Sequence, residues 1–395
     1  MGEWKEYKLN EVYDFGSGLS KPSSEFGFGY GFLSYKDIFH NYFVPENLKE
    51  LVNSTQKEQN SCSIHKGDVF LTRTSETDEE LGMSCVALKD YPKATFNGFT
   101  KRLRPNGKVD IVPEYAGFYF RNRNFRTAVS GISSITTRAS LNNEMLSSLS
   151  IVIPPIEEQK GIAETLKSLH DKIDLLHRQN KTLEQMAETL FRQWFVEEAE
   201  ESWEVRPIYS FIEIQSGFAF KSGDFVSEGN YKLITIKNVQ DGYMDLSKAD
   251  MLLDIPRRMP NYCLLKESDI LLSLTGNVGR CCLVEEQNLL LNQRVAKLNP
   301  KIDRDWAFTY MLFRQSSTKQ ILEELAKGTA QANLSPIEMG EISIQIPPDY
   351  ILMKYSDDAT PLIHKVLQNK KQINTLTHFR DTMLPKLMSG EVRVK

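Results

Sequence analysis

The chain repeats itself. Trp4, Leu9 and Ser17-Gly18-Leu19 return as Trp203, Ile208 and Ser216-Gly217-Phe218, at a constant offset of 199. Lys66-Gly67-Asp68-Val69-Phe70-Leu71-Thr72 is answered by Glu267-Ser268-Asp269-Ile270-Leu271-Leu272-Ser273 at 201, and Leu81-Gly82-Met83-Ser84-Cys85 by Val278-Gly279-Arg280-Cys281-Cys282 at 197. Arg102-Leu103-Arg104-Pro105 pairs with Lys297-Leu298-Asn299-Pro300 at 195, and Ile151-Val152-Ile153-Pro154-Pro155 with Ile344-Gln345-Ile346-Pro347-Pro348 at 193. The order is kept and the offset drifts by a few residues, as loop insertions produce. Such a chain is a duplicated unit of roughly 195 residues, and it excludes a fold built around one central core.

Each copy begins as mixed, strand-rich structure. Short β-branched and aromatic runs at 68–72, 269–274, 149–153 and 342–346 are punctuated by Gly, Asn and Pro. Gly27, Gly29 and Gly31 alternate with Phe26, Phe28, Tyr30 and Phe32, which reads as a strand or turn and lacks phosphate-loop spacing. The last quarter of each copy is different. From Ile156 to Val196 there is no Pro and one Gly, so a helix of about forty residues is allowed. Ile162, Leu166, Leu169, Ile173, Leu176, Leu183, Ala187, Leu190 and Trp194 follow alternating spacings of four and three, interrupted by Asn180. That is the seam of a coiled coil. In the second copy Thr360-Pro361 reads as a fresh helix start. Leu362, Val366, Ile373, Leu376, Met383 and Leu387 hold the same register, with Asn369 as the polar exception. If the helices pair antiparallel about a pseudo-dyad near residue 178, Asn369 faces Asn180 and the two fix the register.

Composition narrows the function. The net charge is −4, but residues 97–141 carry eight basic against two acidic side chains, a local net of +6. This is either a solvated basic face or a nucleic-acid patch. No apolar stretch is long enough to span a membrane, and the start lacks a secretory profile. The five cysteines, Cys62, Cys85, Cys263, Cys281 and Cys282, form no C-x-x-C pair and read as thiols of a reducing compartment. His170 and His177 share a helix face and read as outward decoration. No metal site, Walker lysine or methyltransferase Asn/Asp-Pro-Pro-aromatic phrase is present, so catalysis has no foothold.

Several phrases then coincide: two strand-rich modules, each closed by I-x-I-P-P, and a helix opening Ile156-Glu157-Glu158-Gln159 and ending Leu190-Phe191-Arg192-Gln193-Trp194-Phe195. The second helix closes Leu384-Pro385-Lys386-Leu387-Met388-Ser389-Gly390-Glu391. The whole chain resembles the specificity subunit of type I restriction–modification systems, and this closing phrase is the most specific part of the likeness. The resemblance implies an α+β fold of two tandem strand-rich α/β target-recognition domains, joined by two long antiparallel coiled-coil helices with pseudo-two-fold duplication. It places the domains at residues 1–155 and 198–348, a central helix at 156–197 and a C-terminal helix and tail at 349–395. It implies duplex DNA as a partner, each domain reading one half of a split, asymmetric site. It further implies two methyltransferase subunits and restriction/translocase subunits, with S-adenosylmethionine and ATP/Mg carried by those partners, in a prokaryotic cytoplasm without membrane attachment. One departure is that the second helix opens Asp349-Tyr350 without the Glu-Glu-Gln of the first, which predicts an irregular first turn. A helix of about forty residues is roughly 60 Å long, so modules at its ends sit no more than about 17 base pairs apart. The alternative from another class is a coiled-coil protein-interaction scaffold without sequence-specific DNA binding.

Base reading needs Arg, Lys, Asn and Gln at groove edges, with basic and hydroxyl groups on phosphates. The candidates in the first module are Lys36, Arg73, Thr74, Lys101, Arg102, Arg138 and Ser140. In the second they are Lys237, Asn238, Thr275, Asn277, Arg280, Asn292, Gln293, Arg294, Gln331 and Asn333, with Arg138 and Gln331 aligned at 193. Leu190, Trp194 and Phe195 are expected to form an exposed apolar flank covered by partners.

Overall fold

Val69-Phe70-Leu71-Thr72 is buried at every position, which suits a strand covered on both faces. Val69 and Leu71 pack with Leu9, Val12 and Phe120, whereas Phe70 points the other way, toward Leu33 and Phe96. The strand is the third in a four-stranded antiparallel sheet ordered Tyr13–Ser17, Thr100–Pro105, Val69–Thr72, Ser84–Val86. A second sheet pairs Phe26–Leu33 with Glu50–Val52 and with Thr95–Phe96, so the Gly-aromatic run is a strand. Lys5–Lys8 pairs antiparallel with Ser150–Ile153, placing Lys5 opposite Ile153.

This is the first of two units in a computed structural model that describes residues 3–75, 80–132, 139–327 and 333–394. The first unit comprises residues 1–173 and 376–395, the second residues 174–375. The second has the same plan. Ile212–Ser216, Val295–Pro300, Ile270–Ser273 and Cys281–Leu283 form its four-stranded antiparallel sheet. Ile270 and Leu272 face one cluster and Leu271 the other. Glu204–Pro207 pairs with Ser343–Ile346, placing Glu204 opposite Ile346, the counterpart of Lys5 and Ile153. The turn before the central strand is also duplicated. Gly67 has φ +89° and its counterpart Ser268 φ +70°. In both, the following aspartate (Asp68 or Asp269) accepts a backbone N–H three residues back, at 2.7 and 2.8 Å.

The central helix runs Ile156–Arg192 and ends in a π-turn at Gln193–Glu197. Its first turn is held by Gln159, which is buried and donates to the carbonyls of Asp110 and Pro154 while accepting the Val112 N–H. The C-terminal helix runs unbroken over Asp349–Ser389. Two expectations are corrected here. Thr360-Pro361 is not a fresh start: Pro361 deletes one helical hydrogen bond, but buried Ala359 and Ile363 hold the helix in the core. The first turn is regular: the N–H groups of Ile351 and Leu352 both donate to the Pro348 carbonyl, and Arg304 pairs with Asp349 at 2.8 Å on the surface.

The seam follows the heptads. In the first unit Ile162 and Leu166 pack with Leu384, Leu387 and Met388, and Ile173 is buried and Leu169 half-buried. In the second, Leu176, Val366 and Ile373 are buried, and Leu183 lies at intermediate depth; Leu376, in the first unit, is also half-buried. The Tyr355 hydroxyl donates to the Ala187 carbonyl, and Asn369 Nδ2 donates to Asn180 Oδ1 at 2.9 Å. These two bonds run in opposite chain directions, so the helices are antiparallel there. Two further expectations fail. Leu190, Trp194 and Phe195 pack against the second unit's own core, with Phe195 4.8 Å from Tyr355 and 4.9 Å from Phe308, ring to ring. His170 is no surface decoration: it sits half-buried against Tyr42 and Phe43, at 5.2 and 5.6 Å, while His177 is exposed.

Candidate nucleic-acid interface

The basic stretch at 97–141 turns inward. Lys101 is buried, and its ammonium donates to Ser17 Oγ and Asn143 Oδ1; burial, with Arg73 nearby, holds its pKa below the usual lysine range. Arg102 lies over the Phe96 ring and donates to the Ser63 carbonyl at 2.7 Å. Arg104 grips the fully buried Asp68 through two bonds of 2.7 and 2.6 Å. Arg121 donates to the carbonyls of Ile38, Phe39, Asn41 and Ser84. These cations brace loops. Among the described residues of the stretch, Lys108 and Arg123 remain exposed.

In the second module, Asn238 is likewise internal. Its Oδ1 accepts the Thr235 N–H and hydroxyl and its Nδ2 donates to the Asp245 carbonyl, closing a turn. Arg280 donates to Gln240 Oε1. Lys101 and Asn238 thus depart from the expectation of free donors at a groove edge, because their polar atoms are taken inside the fold, and Arg102 and Arg280 each commit one guanidinium nitrogen to an internal partner. Arg138 and Gln331 lie outside the described residues.

Lys36, Arg73, Thr74 and Ser140 gather at one edge of the first module, and Thr275, Asn292, Gln293, Arg294 and Asn333 at the equivalent edge of the second. In the first, Thr74 pairs with Ser140, the Tyr35 hydroxyl donates to the Thr74 carbonyl, and Lys36 follows Tyr35 on a short helix capped by Ser34. Arg73 N–H donates to Phe99 O, and Leu141 N–H to Arg73 O. In the second, Thr275 bridges Asn333, Leu274 N–H donates to Arg294 O, and Leu334 N–H to Leu274 O. The edges are the same construction, so Thr74 corresponds to Thr275, Ser140 to Asn333 and Arg73 to Leu274. Lys36, Ser140, Lys237, Asn277, Gln293, Arg294 and Asn333 are exposed; Arg73, Thr74 and Asn292 are half-buried, and Thr275 is buried. The Arg73 Nε and the Thr275 hydroxyl are enclosed without a hydrogen-bond partner among the described residues.

At the centre of each edge is a turn, Asn97-Gly98-Phe99 in one module and Asn292-Gln293-Arg294 in the other. Its backbone is bonded alike in both. Asn97 N–H reaches Leu33 O at 3.1 Å and Asn292 N–H reaches Ile234 O at 3.1 Å; Gly98 N–H reaches Leu19 O and Gln293 N–H reaches Phe218 O, both at 2.9 Å. Asn97 Oδ1 accepts the Phe99 N–H and Asn292 Oδ1 the Arg294 N–H. A glycine underlies each turn: a Cβ on Gly18 or Gly217 would lie 2.2 Å from the carbonyl oxygen of Asn97 or Asn292. Sequence reading missed the first turn. Its signal was the Asn at 97 and 292, separated by the same 195 as Arg102 and Lys297.

Among the described residues no group of three His, Cys, Asp or Glu is placed to hold a metal ion, and no helix is long and apolar enough to cross a membrane. The family profile of the type I restriction modification DNA specificity domain matches residues 1–185 and again 200–378. The type I restriction enzyme MjaIX specificity subunit of Methanocaldococcus jannaschii is 26% identical over 422 residues, spanning 99% of this chain and 94% of that protein. The HindI specificity subunit of Haemophilus influenzae is 22% identical over 475 residues, spanning 99% and 100%. In structure, the S subunit of a type I restriction-modification system from M. genitalium superimposes with a TM-score of 0.67 at 15% identity, covering 98% of this chain and 96% of that one. That last likeness speaks for the fold.

Proposed function

We propose a division of labour within this chain from the premise that it belongs to the type I restriction modification DNA specificity family. The chain is a DNA sequence-recognition subunit, of a family that is not itself catalytic. The scaffold alternative falls with that membership. The first module reads one half of a bipartite duplex site and the second module reads the other. Because the modules differ in sequence, the site is asymmetric. The observation that carries this reading is the pair of equivalent edges, built on one backbone plan yet tipped by different side chains.

Two methyltransferase subunits dock on the helices, restriction/translocase subunits join them, and S-adenosylmethionine and ATP/Mg act in those partners. The paired helices set the unread gap. Four added residues lengthen a helix by about 6 Å, close to two base pairs of DNA axis. The test is the methylation motif of a host carrying the chain with its methyltransferase partner. Exchanging residues 1–150 for those of another specificity subunit changes one half of the motif and leaves the other. A change in both halves overturns modular reading. A four-residue insertion within 170–185, matched in the opposite helix, widens the gap; an unchanged gap overturns the spacer role.

A further inference from the structure

We infer that the turn Asn97-Gly98-Phe99 and its counterpart Asn292-Gln293-Arg294 are specificity determinants that read the two half-sites by different physical means. Arg294 takes a guanine through its N7 and O6 acceptors, and Phe99 takes the 5-methyl group of a thymine. The inference rests on the reading of both modules as DNA binders and goes beyond it by naming the reading atoms.

Three observations carry it. The backbone of the turn is pinned identically in both copies, at the four positions given above, so its tip is held rather than mobile. A glycine below each tip permits a backbone approach that no other residue allows, since a Cβ on Gly18 or Gly217 would sit 2.2 Å from a carbonyl oxygen. On this common scaffold the tip side chains are exposed and differ in chemistry: Phe99 is 60% exposed, a large ring facing solvent, while Gln293 and Arg294 are both exposed donors. Bases are told apart in the major groove by such contacts: a guanidinium forks onto guanine N7 and O6, and an apolar ring meets the thymine methyl.

The neighbourhood of each tip fits its occupant. A Cβ at Gly98 would meet Ser20 Oγ at 2.1 Å, so the first turn keeps no side chain there and lets the Phe99 ring stand alone. The residue corresponding to Ser20 in the second module is Ala219, which has no hydroxyl in that place, and Gln293 is accommodated. Arg294 makes no side-chain hydrogen bond or ion pair among the described residues, unlike Arg102 and Arg104, whose guanidinium groups are taken within the first module. Its fork is available to a ligand.

The experiment uses the chain assembled with its methyltransferase partner and a randomised duplex library, with bound DNA sequenced. The variants are Arg294→Ala, Arg294→Lys and Phe99→Ala; their side chains are exposed, and thermal unfolding checks that each folds as the parent does. The expected result is that Arg294→Ala reduces the preference at one base pair of one half-site by about 10- to 100-fold and leaves the other half unchanged. Arg294→Lys does not restore it, because an ammonium lacks the planar fork. Phe99→Ala relaxes a position in the opposite half. Single-atom probes then identify the contacts. Placing 7-deazaguanine at the affected guanine weakens the parent but not Arg294→Ala, and deoxyuridine for thymine weakens the parent but not Phe99→Ala. If the parent selects a bipartite motif and both variants keep every preference, the inference falls while the DNA-reading function stands. A uniform loss of affinity with a shallower salt dependence makes Arg294 a phosphate contact and also overturns it. If the parent itself selects no motif, the underlying reading fails.

Discussion

Leucine in place of Asn369, alone and together with Asn180→Leu, tests whether the buried amide pair sets the register of the long helices. Asn369 is fully enclosed and Asn180 is 6% exposed. One bond joins them, at 2.9 Å, and Asn369 Oδ1 is buried without a partner among the described residues. The pair is therefore incompletely satisfied. A made hydrogen bond contributes about 1 kcal/mol net, whereas an orphaned buried amide costs about 1–3 kcal/mol. Asn369→Leu removes one orphan oxygen and creates another on Asn180, so its net cost is about 1 kcal/mol. The double variant removes both polar groups with side chains of similar shape, and it is more stable than the parent by about 1 kcal/mol. The assay is urea unfolding of the parent, both single variants and the double, with the midpoint shifting at constant slope. Asn180→Leu breaks the same bond and orphans the Asn369 amide, at a cost also of about 1 kcal/mol, so the double-mutant cycle yields a coupling of about 3 kcal/mol. The second readout is register: in the double variant, cysteines placed on facing helix positions cross-link in more than one pairing, because an apolar seam no longer rejects slippage. A double variant less stable than either single refutes the energetics. A stable double variant with one cross-linked register refutes the specificity argument.

Three further outcomes follow from the scaffold. Ser268→Gly relieves a left-handed backbone that its twin fills with Gly67, and thermal unfolding shows the second module stabilised by about 0.5–1 kcal/mol. Asp68→Asn leaves Arg104 without its buried carboxylate, so the first module loses about 3 kcal/mol in denaturant unfolding. Burial pushes the Cys282 thiol up to about 12, with Glu285 adding to it, from an ordinary value of 9.0. The unfolded chain thus releases this proton near 9.0 while the folded chain holds it to about 12; the burial contribution is intact below that window and is lost through it. Stability measured against pH therefore falls through that alkaline range, and Cys282→Ala flattens the fall.

Legibility in the sequence tracked how local the deciding physics is. The repeat, the I-x-I-P-P strands and the helix seam are periodic, and periodicity reports burial directly; Asn180 and Asn369 were found as breaks in that period. The basic stretch was not legible, because Lys101, Arg102 and Arg121 look alike as letters and only the surrounding carbonyls make them braces. Trp194 and Phe195 read as exposed for the same reason: their cover, Phe308 and Tyr355, comes from far along the chain. Pro361 read as a helix start because a local rule was applied where tertiary packing prevails. The turn at Asn97 left a trace, a shared Asn at a constant offset, that carries meaning only beside the strands that follow it.

The duplication explains why a chain with one architecture can read an asymmetric target. Where the backbone leaves no room the copies agree: Gly18 and Gly217 stand under the turns, and Asp68 and Asp269 close the same bend. Where only charge balance is required, they agree in chemistry and differ in position, since Asp68 is matched by Arg104 but Asp269 by Lys297, two residues earlier in register. Where the side chain meets solvent they diverge, as at Gly98-Phe99 against Gln293-Arg294. If the tips read the bases as inferred, stability and recognition are assigned to separate residues of one module. Exchanging the tips, with Ser20→Ala to admit glutamine at position 98, therefore alters what is read without altering what is folded. Unchanged thermal unfolding beside an altered half-site is the pair of results that this separation requires.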